Sequence, residues 1–211
     1  MNLRNSSFNS ILLAASLTLC VVDGQAQFLF NSISGQSGSV IGTNLTAGAT
    51  FTVGNQPILV TALGVYDDQL DGLNQSYDVG IWNSSGLLTS TTVPTGSGAT
   101  LLGNFRYASI TPLVLAANST YRVGANVGFN NAFPFDLTGQ GGTAAVDPAF
   151  SFANPQMFSG FDTGFADPAL VHPFSQNLWA ANLQFTAVPE PTVLVFLGSA
   201  IAVMSMNRRR C

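Results

Sequence analysis

Tyr77-Asp78-Val79-Gly80-Ile81-Trp82-Asn83-Ser84-Ser85-Gly86-Leu87-Leu88-Thr89-Ser90-Thr91-Thr92-Val93 reads as two strands joined by a turn. Tyr77, Val79 and Ile81 alternate with Asp78 and Gly80, which puts one set on each face of an extended chain. Asn83-Ser84-Ser85-Gly86 supplies short polar side chains that bond their own backbone, and a glycine that accepts a positive φ. Leu87 to Val93 is again rich in β-branched residues. The stretch predicts a β-hairpin, and with it an all-β body.

The same signals recur on both sides of the hairpin. Apolar and β-branched runs, separated by Gly, Ser, Thr, Asn and Asp, predict strands over 28–33, 50–53, 58–66, 77–82, 87–93, 102–110, 120–127 and 179–187. Tyr121, Val123, Ala125 and Val127 share one face of their strand. No window of the body sustains a 3.6-residue period with good helix formers. Eight short strands in a body spanning 27–187 predict a two-layer antiparallel β-sandwich with jelly-roll or Ig-like connections. The stretch 130–177 differs: it is rich in Gly, Pro, Asn and Phe, and predicts long loops pinned by aromatics, with room for one short strand.

Charged residues are only 8% of the 211-residue chain, against 46% hydrophobic residues, so the body can bury a core. There is no lysine. Between 27 and 188, Arg106 and Arg122 face eight aspartates, a net charge near −6 that repels phosphate backbones and excludes nucleic acid as a partner. Cys20 and Cys211 lie outside the body, which therefore relies on its core and its sheet hydrogen bonds.

The two ends read as targeting sequence. Residues 1–26 have Arg4 near the start, an apolar run from Ile11 to Val22, and Gly24-Gln25-Ala26 with small residues placed for cleavage before Gln27, the pattern of a secretory leader. Leu19 is too large for Cys20 to be a lipoprotein cysteine. At the other end, Val188-Pro189-Glu190-Pro191 precedes an apolar run from Thr192 to Met206, then Asn207 and Arg208, Arg209 and Arg210. The prolines end the preceding structure. The run is shorter than the roughly 20 residues of a usual spanning helix, and the arginines extend its reach to the headgroups and keep the C-terminus cytoplasmic.

These three parts in this order resemble the PEP-CTERM sorting signal of Gram-negative and related bacteria. The resemblance covers 188–210. It implies a short transmembrane helix, recognition by an exosortase (a membrane transpeptidase-like protease) at the inner membrane, and cleavage near Pro189-Glu190-Pro191. Glu190 is then a recognition element and not a catalytic acid. The implied location is transient membrane anchoring followed by the cell surface or the extracellular space, in the company of exopolysaccharide. A second resemblance lies in Leu63-Gly64-Val65-Tyr66-Asp67, Asp71-Gly72-Leu73, Asp78-Val79-Gly80-Ile81-Trp82-Asn83 and Gly86-Leu87-Leu88, which are similar to a recurrent β-sandwich module of PEP-CTERM proteins with no assigned activity.

One segment has metal-ligand spacing. In a twelve-residue loop from Asp67 to Asp78, Asp67, Gln69 and Asp71 occupy positions 1, 3 and 5, Gly72 position 6 and Asp78 position 12, so Ca²⁺ is the one cofactor the pattern offers. Gln69 and the short Asp78 depart from the pattern, and an Asp/Gly-rich turn between strands explains the same residues. Catalytic patterns are weak. His172 precedes Pro173, with Asp162 and Asp167 as formal triad partners, but there is no Gly-x-Ser-x-Gly elbow. The body has no Glu, and no zinc, phosphate-loop or dinucleotide spacing. Sequons at Asn44, Asn74, Asn83 and Asn118 read as turn composition. The expectation is a non-enzymatic surface or matrix structural protein. The alternatives are a carbohydrate-binding module using Trp82, Trp179 and the aromatic loops, and, last, a secreted hydrolase.

Overall fold

A computed structural model of the chain describes residues 25–34, 44–127, 135–137, 143–171 and 176–188. Residues 1–24 of the expected leader, the apolar run 192–206, Arg208 to Arg210 and His172 lie outside the described residues. Fifteen strands are described: β1 (Gln27–Phe28), β2 (Phe30–Ser34), β3 (Leu45–Val53), β4 (Ile58–Tyr66), β5 (Tyr77–Asn83), β6 (Gly86–Val93), β7 (Thr100–Leu102) and β8 (Phe105–Leu115). They continue with β9 (Thr120–Val127), β10 (Phe135–Leu137), β11 (Thr143–Val146), β12 (Phe150–Phe158), β13 (Leu170–Val171), β14 (Gln176–Leu178) and β15 (Ala181–Ala187). The only described helical piece is a single 3₁₀ turn, Asp68–Leu70.

All pairings are antiparallel, and the arrangement is consistent with a β-sandwich. One sheet has the order β1-β15-β4-β8-β7, the other β13-β12-β3-β9-β5-β6, and two ribbons pair β2 with β11 and β10 with β14. Alternation explains the layering. Leu45, Ala47, Ala49, Phe51 and Val53 of β3 are buried, as are Val123, Ala125 and Val127 of β9 and Val79 and Ile81 of β5. They join Val60, Leu63, Leu183 and Phe185 of the five-stranded sheet in one core. Phe150 of β12 meets Phe185 of β15 edge-on at 4.8 Å, and Phe51 at 5.3 Å, so aromatic contacts tie the two sheets together.

The hairpin that sets the reading is β5–β6, in register from Tyr77↔Val93 to Asn83↔Gly86 with a bulge after Ile81. Other expectations need correction. β3 starts at Leu45 and not at residue 50, because Leu45-Thr46-Ala47-Gly48-Ala49 is a strand of small residues with little β-propensity of its own, held by β9 and β12. β8 runs past Pro112 to Leu115. Residues 110–112 bulge opposite Thr61, and β7 pairs only with the first three residues of β8, so a proline without an N–H is accommodated. The expected loop region 130–177 contains the nine-residue β12, a full member of the six-stranded sheet. Two register shifts, between Phe152 and Asn154 and between Asn154 and Met157, break its alternation around Pro155 and hide it from a period-2 reading.

Candidate functional site

The Asp67–Asp78 segment folds around a guanidinium. Asp67 is 1% exposed and Arg106 4%. Arg106 Nε donates to Asp67 Oδ2 at 2.6 Å, and Arg106 Nη1 donates to the carbonyls of Ser97 (2.9 Å) and Ala99 (3.1 Å). Arg106 Nη2 reaches the Leu70 carbonyl at 3.5 Å. The other Asp67 oxygen accepts the Gly72 N–H at 3.2 Å. The remaining calcium-pattern residues do not converge on Asp67. Asp71 is exposed, Gln69 sits at φ 61°, and Asp78 lies in β5, where its Oδ1 accepts the Thr92 hydroxyl at 2.6 Å. No group of three or more His, Cys, Asp or Glu side chains suited to a metal occurs among the described residues. Within the loop, Asp67 is paired with Arg106. Burial, and then the Asp67 charge, push the Tyr77 phenol well above the usual tyrosine range, and burial alone does the same to Tyr107.

The outer face of the six-stranded sheet carries a second arrangement. Gly48, Gly124 and Gly80 are cross-strand neighbours on β3, β9 and β5. A Cβ on Gly124 would stand 3.0 Å from Pro168, and one on Gly80 2.9 Å from Phe165. The bare backbone thus seats the segment 159–169. Thr46 Oγ1 donates to the Gly164 carbonyl and accepts the Ala166 N–H, each at 3.0 Å. Arg122 Nε and Nη2 donate to the two Asp167 oxygens at 2.6 Å each, a bidentate pair. Beside it, Asn83, Ser84, Ser119, Thr120 and Arg122 line an open hollow of about 460 Å³. Trp82 packs on Phe165 and is 3% exposed, and Trp179 is 4% exposed, so neither offers a flat face to a sugar.

No family model matches the chain, and no curated protein matches it significantly. The functional reading therefore rests on the residues themselves, and the third arrangement bears on it most. β15 is an interior strand, hydrogen-bonded to β4 on one side and β1 on the other. The Val188 N–H donates to the Pro57 carbonyl at 3.0 Å, so sheet bonding extends to the first residue of Val188-Pro189-Glu190-Pro191. Pro189, Glu190 and Pro191 lie outside the described residues. Gln27, the first residue after the expected leader cleavage, pairs with Phe185. Asn182, fully buried, holds the first residue of β2: its Oδ1 accepts the Phe30 N–H and its Nδ2 donates to the Phe30 carbonyl, both at 3.0 Å.

Sequence reasoning missed Arg106, Asn182 and the glycine row. Arg106 carried a signal, being one of two cations in a body of eight aspartates. Asn182 carried none, because its role depends on a strand 152 residues away.

Proposed function

We propose that the chain is an exported cell-surface or extracellular-matrix structural protein, sorted through its C-terminal segment by an exosortase-type membrane protease. The observation that carries this reading is the order Val188-Pro189-Glu190-Pro191, apolar run, Arg208-Arg209-Arg210 behind a chain with a secretory leader. The fold agrees with it. β1 begins at the expected mature N-terminus, and described sheet bonding reaches Val188, the first residue of the proposed sorting signal. The nested pairing of β4 with β8 and β3 with β9 supports jelly-roll connections in a two-layer sandwich. Aspartates are used in structure: Asp67 and Asp167 hold arginines, Asp78 holds Thr92, and Asp147 Oδ1 accepts the Ala149 N–H at 2.9 Å.

Replacing Pro189-Glu190-Pro191 by three alanines tests the sorting signal in the native host. Full-length chain then accumulates in the membrane fraction, while the surface or medium form disappears. An unchanged distribution between fractions would remove the signal from the account.

A second reading, carbohydrate binding, is favoured by the open hollow, whose amide and hydroxyl lining suits a hydroxyl-rich ligand. Both tryptophans being buried, retention on immobilised polysaccharide reads this better than Trp emission does.

A further inference from the structure

The proposed leader and the proposed sorting tail leave the body from the same end. Gln27 pairs with Phe185, and Val188, the last described residue, lies three residues further along the adjacent strand. The two exits are thus on the order of 10 Å apart. The loops around them form one rim. Val188 bonds to Pro57, Asn118 N–H donates to the Val53 and Gly54 carbonyls, and Gly54 N–H donates to the Ala149 carbonyl. The β5–β6 turn closes it, since Ser84 and Ser119 line the same hollow.

Charge is divided between this rim and the opposite end. The rim loops Gly54-Asn55-Gln56-Pro57, Asn83-Ser84-Ser85-Gly86 and Ala116-Ala117-Asn118-Ser119 contain no charged residue. Asp147 reaches the rim but is buried, and Arg122, just inside it, is neutralised by Asp167. Five of the body's eight aspartates gather at the far end: Asp67, buried and neutralised by Arg106, then Asp68 and Asp71 in the turn after β4, Asp78 opening β5, and Asp162, whose Oδ1 accepts the Asn44 N–H beside the start of β3, so four aspartates remain there beyond the Asp67–Arg106 pair.

Chain length then sets the distance to the bilayer. From Val188 to Thr192, where the apolar run begins, an extended chain reaches at most about 14 Å. The polar layer of a bilayer is roughly 5–8 Å thick on each side. A body held on so short a tether has its rim no more than about 6–9 Å beyond the headgroups.

We infer that the uncharged rim around Asn55, Ser84 and Asn118 is a docking face for the phospholipid headgroup layer, on which the body stands while its tail is in the membrane, with its acidic end turned away. This rests on the reading of the tail as a membrane segment. An anionic headgroup layer repels the acidic end and leaves the neutral rim unopposed.

The test uses the expected mature chain, Gln27 to Cys211 with Cys211→Ser, reconstituted in vesicles of phosphatidylethanolamine and phosphatidylglycerol. Single cysteines at Asn55→Cys and Ser84→Cys on the rim, and Asp71→Cys and Gln75→Cys at the far end, carry a fluorophore, and a headgroup spin-labelled lipid is the quencher. Nine-residue strands put ~30 Å between the two ends, so quenching is expected to be roughly twofold or more stronger at the rim. Equal quenching at both ends, or a rim shielded without lipid quenching, as by a second copy, overturns the docking face while leaving the tail assignment intact. Protein that fails to float with the vesicles overturns the tail assignment and the docking face with it.

Discussion

Arg106 sits where a metal ion would be sought, encircled by a carboxylate and three backbone carbonyls. A planar guanidinium satisfies all of them from one side chain, and a lysine offers no such fork. Removing it strands a buried carboxylate. Arg106→Met is therefore expected to cost roughly 3–5 kcal/mol, read from urea unfolding midpoints, with Arg106→Lys recovering only part of the loss. A variant within about 1 kcal/mol of the parent would mean that Asp67 finds water instead. Tyr107 makes a second prediction. Its phenol ionises in the unfolded chain at about pH 10, and burial holds the folded value above that. The stabilisation is complete below the unfolded value and is lost as pH rises through the folded one, because the unfolded chain sheds its proton first. Tyr107→Phe should flatten the fall in stability between about pH 10 and pH 12, and an unchanged slope would contradict the assignment.

At the scale of elements, the glycines of the six-stranded sheet are steric necessities. A Cβ on Gly48 would lie 1.9 Å from the Val123 carbonyl oxygen and 2.7 Å from Gly124 Cα, so β3 and β9 could not keep their spacing. Gly48→Ala should cost at least roughly 2 kcal/mol. Gly98→Ala, with nothing within 4 Å of the added atom, should stay within about 0.5 kcal/mol of the parent. Comparable losses in both would show that backbone freedom, and not close approach, is what these glycines supply.

The same elements show how far the sequence could be read. β5–β6 was legible because its alternation and its Asn-Ser-Ser-Gly turn are local signals. β12 was not, since its pairing survives two register shifts that erase the alternation. β3 was only half legible, because small residues there answer to the segment 159–169 packed above them. Within the Asp67–Asp78 loop, the spacing of oxygens was visible and the pairing of Asp67 with Arg106 was not, because Arg106 lies 39 residues from Asp67.

For the whole molecule, the separation of signals and domain is what organises the account. The sheet holds the chain from Gln27 to Val188, and what lies on either side reads as targeting sequence. The rim at which both ends emerge is uncharged, and most of the acidity lies at the opposite end. Residues 1–24 and 189–211 lie outside the described residues, so the reading of the two ends stands on residue order alone.

The most direct test is the intact mass of the mature protein recovered from cell and medium fractions of its native host. The account predicts a species that begins at Gln27 and ends between Val188 and Pro191, with or without an added group at the new C-terminus. A membrane-bound species still ending at Cys211 would contradict it and reduce the tail to an ordinary anchor.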